Sequence, residues 1–555
     1  MYKQVLDPVG NSLFVSALFA LIPLATLFVL LGGLKLKAHV AALISLAVSI
    51  LVAIIVYSMP AGQALDAALE GMAFGLFPIM WIVWNAIWIY KMTEDTGHFA
   101  VLRRSISAIS DDQRIQAVII AFAFGALLEA LAGFGTPVAI TAVMLVAVGF
   151  QPIKAASVAL VANTAPVAFG AIAIPIVTLA GLTEIPKDDL GAMVGRQTPF
   201  LALFVPLILV GMVDGMRGIR AVWPAAMVGG ISFAIGQFAC SNYVSVELTD
   251  IVASLLSIGS MVAFLRIWSP EEPLAGEEGR FGRPAIAGAS VHDVAHEDAV
   301  RRREGTGRDS RGDIFAAYAP YLIIIVVFAI AQWGPVKDFL AKGESDFSWP
   351  GLNILNAKGE APTAATYKFN WLPAAGTLLL ICGLLTMAVL RVSPARALNA
   401  YGRMISQLKW ATVTVAAVLG LAYVMNLSAQ TLTIGSWIAG VGGVLAFFSP
   451  IIGWLGTAVT GSDTSSNSLF GVLQASAAKK AGLDPTLLAA ANSSGGVLGK
   501  MISPQNLAIG AAAVGLGGKE GDLFRKVVGW SILLLLIMCV LVYLQSTAVL
   551  SWMVP

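Results

Sequence analysis

The sequence predicts an all-α polytopic membrane protein, with about twelve transmembrane helices and two re-entrant hairpins arranged as inverted repeats. Three observations lead there. First, the 555-residue chain is 58% hydrophobic and only 12% charged, with a mean hydropathy of +0.83. A soluble chain of this size cannot hide so much apolar surface. Second, apolar runs of spanning length recur along the whole chain. Third, two of those runs are interrupted in matching ways, at Gly133-Phe134-Gly135-Thr136-Pro137 and at Gly461-Ser462-Asp463-Thr464-Ser465.

In order, spans are expected near 13–31, 38–57, 72–90, 154–180, 197–213, 218–238, 247–267, 314–333, 371–390, 410–426, 485–517 and 527–550. A helix needs about 20 residues to cross the hydrocarbon. The first run exceeds a signal-peptide core and no small-x-small cleavage site follows, so it is read as a retained span. The segments near 115–150 and 450–481 are apolar but broken mid-way, and each reads as two half-helices meeting at a tip. The stretch 428–449 stays unassigned. Lys35, Lys37, Arg103, Arg104, Arg114, Arg217, Arg220, Arg391, Arg396, Arg403 and Lys409 all fall on one side if both hairpins enter and leave on one face. The positive-inside rule makes that side cytoplasmic and places both termini outside.

The expected organisation follows. Residues 1–213 form a first inverted repeat, with the hairpin 115–150 and a broken helix 154–180. Two connecting helices fill 214–267. A charged cytoplasmic linker covers 268–313, where His292 and His296 beside Asp293 and Glu297 read as a solvated loop before a metal site. The second repeat spans 314–555, with the hairpin 450–481 and a broken helix 485–517. Its first loop, 334–370, would lie outside, with Trp349 and Trp371 near the interface. A net charge of +2 gives no reason to expect nucleic acid. Cys240, Cys382 and Cys539 lie far apart with no CxxC spacing, so neither a disulfide framework nor a zinc site is indicated. No cofactor and no metal are expected.

The repeat carries the functional reading. Ala162-Asn163-Thr164 matches Ala491-Asn492-Ser493, and Pro175 matches Pro504, each proline twelve residues beyond its asparagine. Paired interrupted segments in halves of opposite topology point to a secondary-transporter site near the bilayer midplane. The competing account is that Gly, Ser and Pro merely let helices pack closely. Packing, however, has no use for Glu129, Asp463 and Lys500 at such depth, where ionisable groups are costly.

Helix N-termini beginning after GFGTP, NTAP, SDTSSN and NSSGG would offer unpaired N–H groups to a carboxylate. Gly135, Thr136, Asn163, Thr164, Ser465, Ser466, Asn492, Ser493 and Ser494 supply small polar groups around it, and Lys500 can balance the substrate's charge or pair with Asp463. Burial disfavours a charged carboxylate, which suits Glu129 and Asp463 to proton coupling. Gly495 to Lys500 fails as a phosphate-binding loop, because Ser494 and Met501 stand where Gly and Ser/Thr are required. An intramembrane hydrolase built on Glu129 and Asp463 is disfavoured, since no histidine lies mid-span and no GxSxG is present. Sodium coupling is the nearer alternative, because unwound carbonyls and hydroxyls also hold Na⁺.

EALAGFGTPVA (129–139), VANTAPVAFGA (161–171), TGSDTSSNSLF (460–470) and GKMISPQNLAI (499–509) resemble the L-lactate permease family of bacterial inner-membrane carriers. The resemblance extends over essentially the whole chain. It implies proton-coupled uptake of lactate, with glycolate a fellow substrate. Departures are small: Thr136 stands where the family usually has Ala, and NSSGG where it tends to have NTTGG. The expected partners are a small monocarboxylate, a proton and the lipid bilayer, and a homo-oligomer is compatible with the pattern. The broken hairpins also look like those of elevator carriers, which slide a transport domain past a scaffold. That likeness is an analogy of fold.

Overall fold

The structure, a computed structural model, describes residues 1–133, 135–274, 310–331, 333–356, 359–362 and 365–555. Phe134 and the stretch 275–309, with His292 and His296, lie outside the described residues. Among those described, nine helices are long and apolar enough to cross a bilayer. The count is ten if the bent pair Pro152–Ala162 and Val167–Thr183 is one span. About twelve spans are expected from the sequence, and long kinked runs such as Lys187–Tyr243, of 57 residues, count here as one helix each. Thr249–Leu265 and Ala375–Val389 are short. The runs 197–213 and 218–238 belong to one element, Thr198–Tyr243, which leaves helical geometry at Asp214, Gly215 and Val222. The unassigned stretch 428–449 is taken up within the helical run Gln430–Thr460. The basic segment before 410, which reads from sequence as a loop between two spans, is not one. It is helical from Pro394, so Arg396, Arg403 and Lys409 ride on the first half of Pro394–Leu427.

Both interrupted regions are helix–tip–helix units. In the first, Gln113–Ala132 is followed by Gly133 and Gly135, both at positive φ, and then by Thr136–Ala147. In the second, Leu445–Thr460 ends on Gly461 in the left-handed region, and Ser462 caps Asp463–Ala481 by accepting from the Ser465 N–H. Each unit packs against the helix that follows it, Pro152–Ala162 and Pro485–Lys500 respectively.

The break expected at NSSGG is absent. Pro485–Lys500 runs through it as one helix and stops at Met501–Ser503, before Pro504–Ala513. The physical reason is close approach. A Cβ on Gly495 would overlap the Pro450 carbonyl oxygen, and one on Gly499 the Trp454 carbonyl oxygen, both on Leu445–Thr460. These glycines seat one helix on another, as small residues do in membranes. In the first half the equivalent break is wider. After Pro152–Ala162 the chain passes a short turn at Val167–Phe169, and then Ala171, Ile172 and Ala173 all adopt left-handed φ/ψ before Pro175. Three such non-glycine residues in a row cost about 1–2 kcal/mol each.

Around these units lies a frame. Ala38–Ile55 and Ala61–Phe74 pack on Pro394–Leu427, and Trp81–Asp95 packs on Ala375–Val389. Outward faces carry exposed Leu51, Ile55, Phe204, Ile235, Val326, Leu384 and Ile537, a surface suited to lipid. At one end the extended N-terminus pairs in parallel with Ile354–Leu355. There Gln4 Nε2 donates to the carbonyls of Asn426 and Leu427, closing the C-terminal end of Pro394–Leu427. At the hairpin's base, Asp112 caps Gln113–Gln116 and receives the Arg114 guanidinium at 2.6 Å. Arg114 also reaches Asp214 at 3.1 Å and the Glu272 carbonyl at 2.7 Å. Burial pushes the Asp112 carboxyl up, but the bonds from Arg114 and the Leu274 N–H outweigh it and hold it below the ordinary carboxylate range.

Candidate functional site

Lys500 ends the helix Pro485–Lys500, where the negative end of the helix dipole favours a cation. Its Nζ lies 2.7 Å from Oε1 of Glu129, which comes from the first hairpin. Both side chains are buried. The other carboxylate oxygen, Oε2, accepts from Asn163 Nδ2 at 2.9 Å. Lysine from one half thus meets glutamate and asparagine from the other. Gly170 lets the carboxylate sit there, since a Cβ at this position would lie 2.7 Å from Oε1.

A narrow cleft, too tight in this state to admit a water-sized sphere, lies beside this pair, lined by Val138, Leu160, Asn163, Thr164, Val497, Lys500, Met501 and Asn506. Polar groups (Asn163, Thr164, Lys500, Asn506) therefore share it with an apolar wall (Val138, Leu160, Val497). Both hairpin tips close on the same short helix, Pro504–Ala513. At the first tip, a Cβ on Gly135 would meet Ile509 and lie 3.4 Å from Asn506 Oδ1. At the second, the Gly461 carbonyl accepts from Asn506 Nδ2 at 3.4 Å. Asn506 is held in turn by Ser503 Oγ at 2.8 Å.

A profile of the family described as L-lactate permease matches residues 16–549. The chain belongs to the L-lactate permease family. The L-lactate permease of Bacillus subtilis (strain 168) is 42% identical to it over 100% of both chains. So is that of Escherichia coli (strain K12), at 42% over 100% of both. The glycolate permease GlcA of the same E. coli strain is 42% identical over 98% of each chain. Family membership and the apolar helices make this permease a multi-pass membrane transporter of a small molecule rather than an enzyme.

Within the permease, the expected site residues separate into three groups. Asn163, Thr164 and Lys500 share the cleft, Glu129 bonds two of them, and Gly135 and Thr136 form the adjacent tip. Asp463 stands one layer behind. Its Oδ2 accepts from Ser493 Oγ at 2.6 Å and its Oδ1 from Thr457 Oγ1 at 3.5 Å, while Lys500 remains within electrostatic reach. The Lys500–Asp463 pair considered from sequence is therefore replaced by Lys500–Glu129. A third group stays outside the cleft. Asn492 Nδ2 donates to Asn467 Oδ1 at 2.8 Å, and Gln474 Nε2 donates to Asn492 Oδ1 at 3.2 Å, in a buried network. Ser466 Oγ donates to the Gly453 carbonyl, Ser465 sits in the first turn capped by Ser462, and Ser494 is buried in the helix core. Of Asn163 and Asn492, matched by the repeat, Asn163 lines this cleft and Asn492 does not.

Asn506 was not singled out by sequence reasoning. The signal was present: it lies two residues past Pro504, in the SPQN turn where the second half breaks.

Proposed function

We propose that this permease is a proton-coupled symporter that takes up L-lactate and related 2-hydroxymonocarboxylates, such as glycolate and D-lactate, across the bacterial inner membrane. The observation that carries the proposal is the buried Lys500–Glu129 pair beside a cleft with both amide and apolar walls. The substrate carboxylate takes Lys500 Nζ. Asn163, Thr164 and Asn506 hydrogen-bond the 2-hydroxyl and the remaining carboxylate lone pairs, while Val138, Leu160 and Val497 receive the methyl group. Equal identity to lactate and glycolate permeases leaves the substrate range to this wall, since glycolate lacks the methyl group.

Coupling follows from charge. Once the substrate anion draws Lys500 away, Glu129 is a buried carboxylate without a cation, a state that costs several kcal/mol. It takes a proton, so one anion and one proton move together and no net charge crosses. We also place the helix–tip–helix units and their following helices in a re-entrant, inverted pair that moves as a transport unit against the frame. The test uses proteoliposomes with pH and sodium gradients varied separately. L-lactate uptake is expected to follow the inward proton gradient and to alkalinise the outside. Uptake that ignores pH and follows sodium would overturn the coupling.

A further inference from the structure

Asp250 is buried and lies in the first turn of Thr249–Leu265. Its Oδ1 accepts from Gln237 Nε2 at 3.0 Å, while its Oδ2 is buried with no partner. Gln237 Nε2 also donates to the Ala165 carbonyl at 3.3 Å, and its Oε1 accepts from Thr198 Oγ1. Gln237 therefore ties Asp250 to the broken segment that holds Asn163 and Thr164. Thr164 Oγ1, on that segment and lining the cleft, is likewise buried without a partner. Two unpartnered oxygens thus lie near the break, one of them in the cleft beside Lys500.

Among the described residues, the groups facing Asp250 supply no cation. From Gly125–Ala132 the titratable neighbour is Glu129, close enough for the two charges to interact. From Thr198–Tyr243 it is Cys240. In the preceding loop Glu247 is already paired with Lys187. Ala117–Phe124 and Gly170–Thr183, the other helices against it, carry no titratable side chain. Glu129, Asp250 and Asp463 are all buried acids, and among the described residues Lys500 is the buried base that bonds one of them. Lys500 neutralises one acid, and that acid is Glu129. An ionised Asp250 would be an unpaired buried charge, so at rest its carboxyl carries a proton.

We propose that Asp250 is a second proton-carrying group of this permease, relaying protons to Glu129 across the break at Asn163–Ala165. The relay rests on the proton-symport reading above. As the substrate anion draws Lys500 off Glu129, the Asp250 acid gives its proton to the Glu129 carboxylate. Asp250 is then reprotonated through the loop at 244–248, which reaches the protein surface at Val244. One proton enters per anion, and no other bond changes.

The experiment compares wild type, Asp250→Asn and Asp250→Glu in proteoliposomes, reading L-lactate-driven proton influx, its pH profile and L-lactate counterflow. With Asp250→Asn, proton influx and uphill uptake fall by about tenfold or more and the pH profile flattens. Counterflow, which needs no net proton movement, falls far less, and Asp250→Glu restores coupling. An unchanged pH profile and proton influx in Asp250→Asn overturns the relay. Wild type that moves no protons with L-lactate overturns the symport reading instead. If neither variant reaches the membrane, wild-type protein is treated with a hydrophobic carbodiimide, which reacts with protonated carboxyls, and the adducts are mapped. An adduct on Asp250 supports the relay. Adducts on other buried acids but none on Asp250 overturn it.

Discussion

Lys500 is the residue on which both halves of the permease depend, because its ammonium is the cation beside Glu129 and within reach of Asp463. On the proposed reading, replacing it with Met removes a charge-assisted bond to the substrate, and it leaves Glu129 without its cation. A hydrogen bond to a charged group contributes about 1.5–3 kcal/mol, so apparent L-lactate affinity should fall about 10- to 100-fold. Glu129→Gln separates binding from coupling. Gln keeps an acceptor for Lys500 but takes no proton, so uphill uptake should be lost while counterflow partly survives. Proton-driven uptake that is indifferent to this change would shift the proton to Asp463. Both residues were legible in the sequence because a charge in an apolar half-helix is conspicuous. Asn506 was not, because an amide two residues after a proline also reads as an ordinary turn group. Only the approach of Gly461 and Gly135 to it reveals its position between the two tips.

At the scale of the element, the sequence announced the tips at Gly133–Gly135 and Gly461–Ser462 correctly as interruptions, because positive-φ glycine and a serine cap are local signals. The same local rule misread NSSGG. There the glycines serve a contact with another helix, which no local pattern displays. The distinction is measurable. Gly499→Ala forces a methyl into the backbone of Leu445–Thr460 near Trp454 and Ala458. Overpacking of this kind costs about 1–3 kcal/mol, and thermal unfolding of the purified permease should shift down accordingly. Gly402→Ala is the control. It lies within Pro394–Leu427 with no atom within 4 Å of the added Cβ. Alanine there should stabilise by about 0.5–1 kcal/mol through helix propensity. If Gly499→Ala instead proved as benign as Gly402→Ala, the glycines would be free of the packing role and a break at NSSGG would regain support. The left-handed run Ala171–Ala173 had no sequence signal at all, since alanine and isoleucine ordinarily avoid that region. Strain of this kind persists where surrounding structure enforces it, and it sits here against Gly133 and Glu129.

For the whole molecule, the question is whether the broken helices move against the frame. Their contact is specific: Phe74, on the frame helix Ala61–Phe74, packs its ring onto Gly181 of the first broken helix, and a Cβ on Gly181 would overlap that ring. A transport unit that slides must break this contact in every cycle, whereas a carrier that opens only at its tips leaves it intact. Cysteines at Phe74 and Gly181, bridged by a short bis-thiol reagent, distinguish the two. The native Cys240, Cys382 and Cys539 are buried, and each single-cysteine variant controls for them. If the unit slides, the bridged protein should bind L-lactate with near wild-type affinity yet lose uptake, and cleavage of a reducible bridge should restore it. Binding should survive because Lys500, Glu129, Asn163 and Asn506 are carried by the hairpin and broken-helix segments and none by the helix of Phe74. Full uptake by the bridged protein would show that the Phe74–Gly181 contact is not broken during the cycle. Transport would then have to come from local movement at Gly133–Gly135 and Gly461–Ser462.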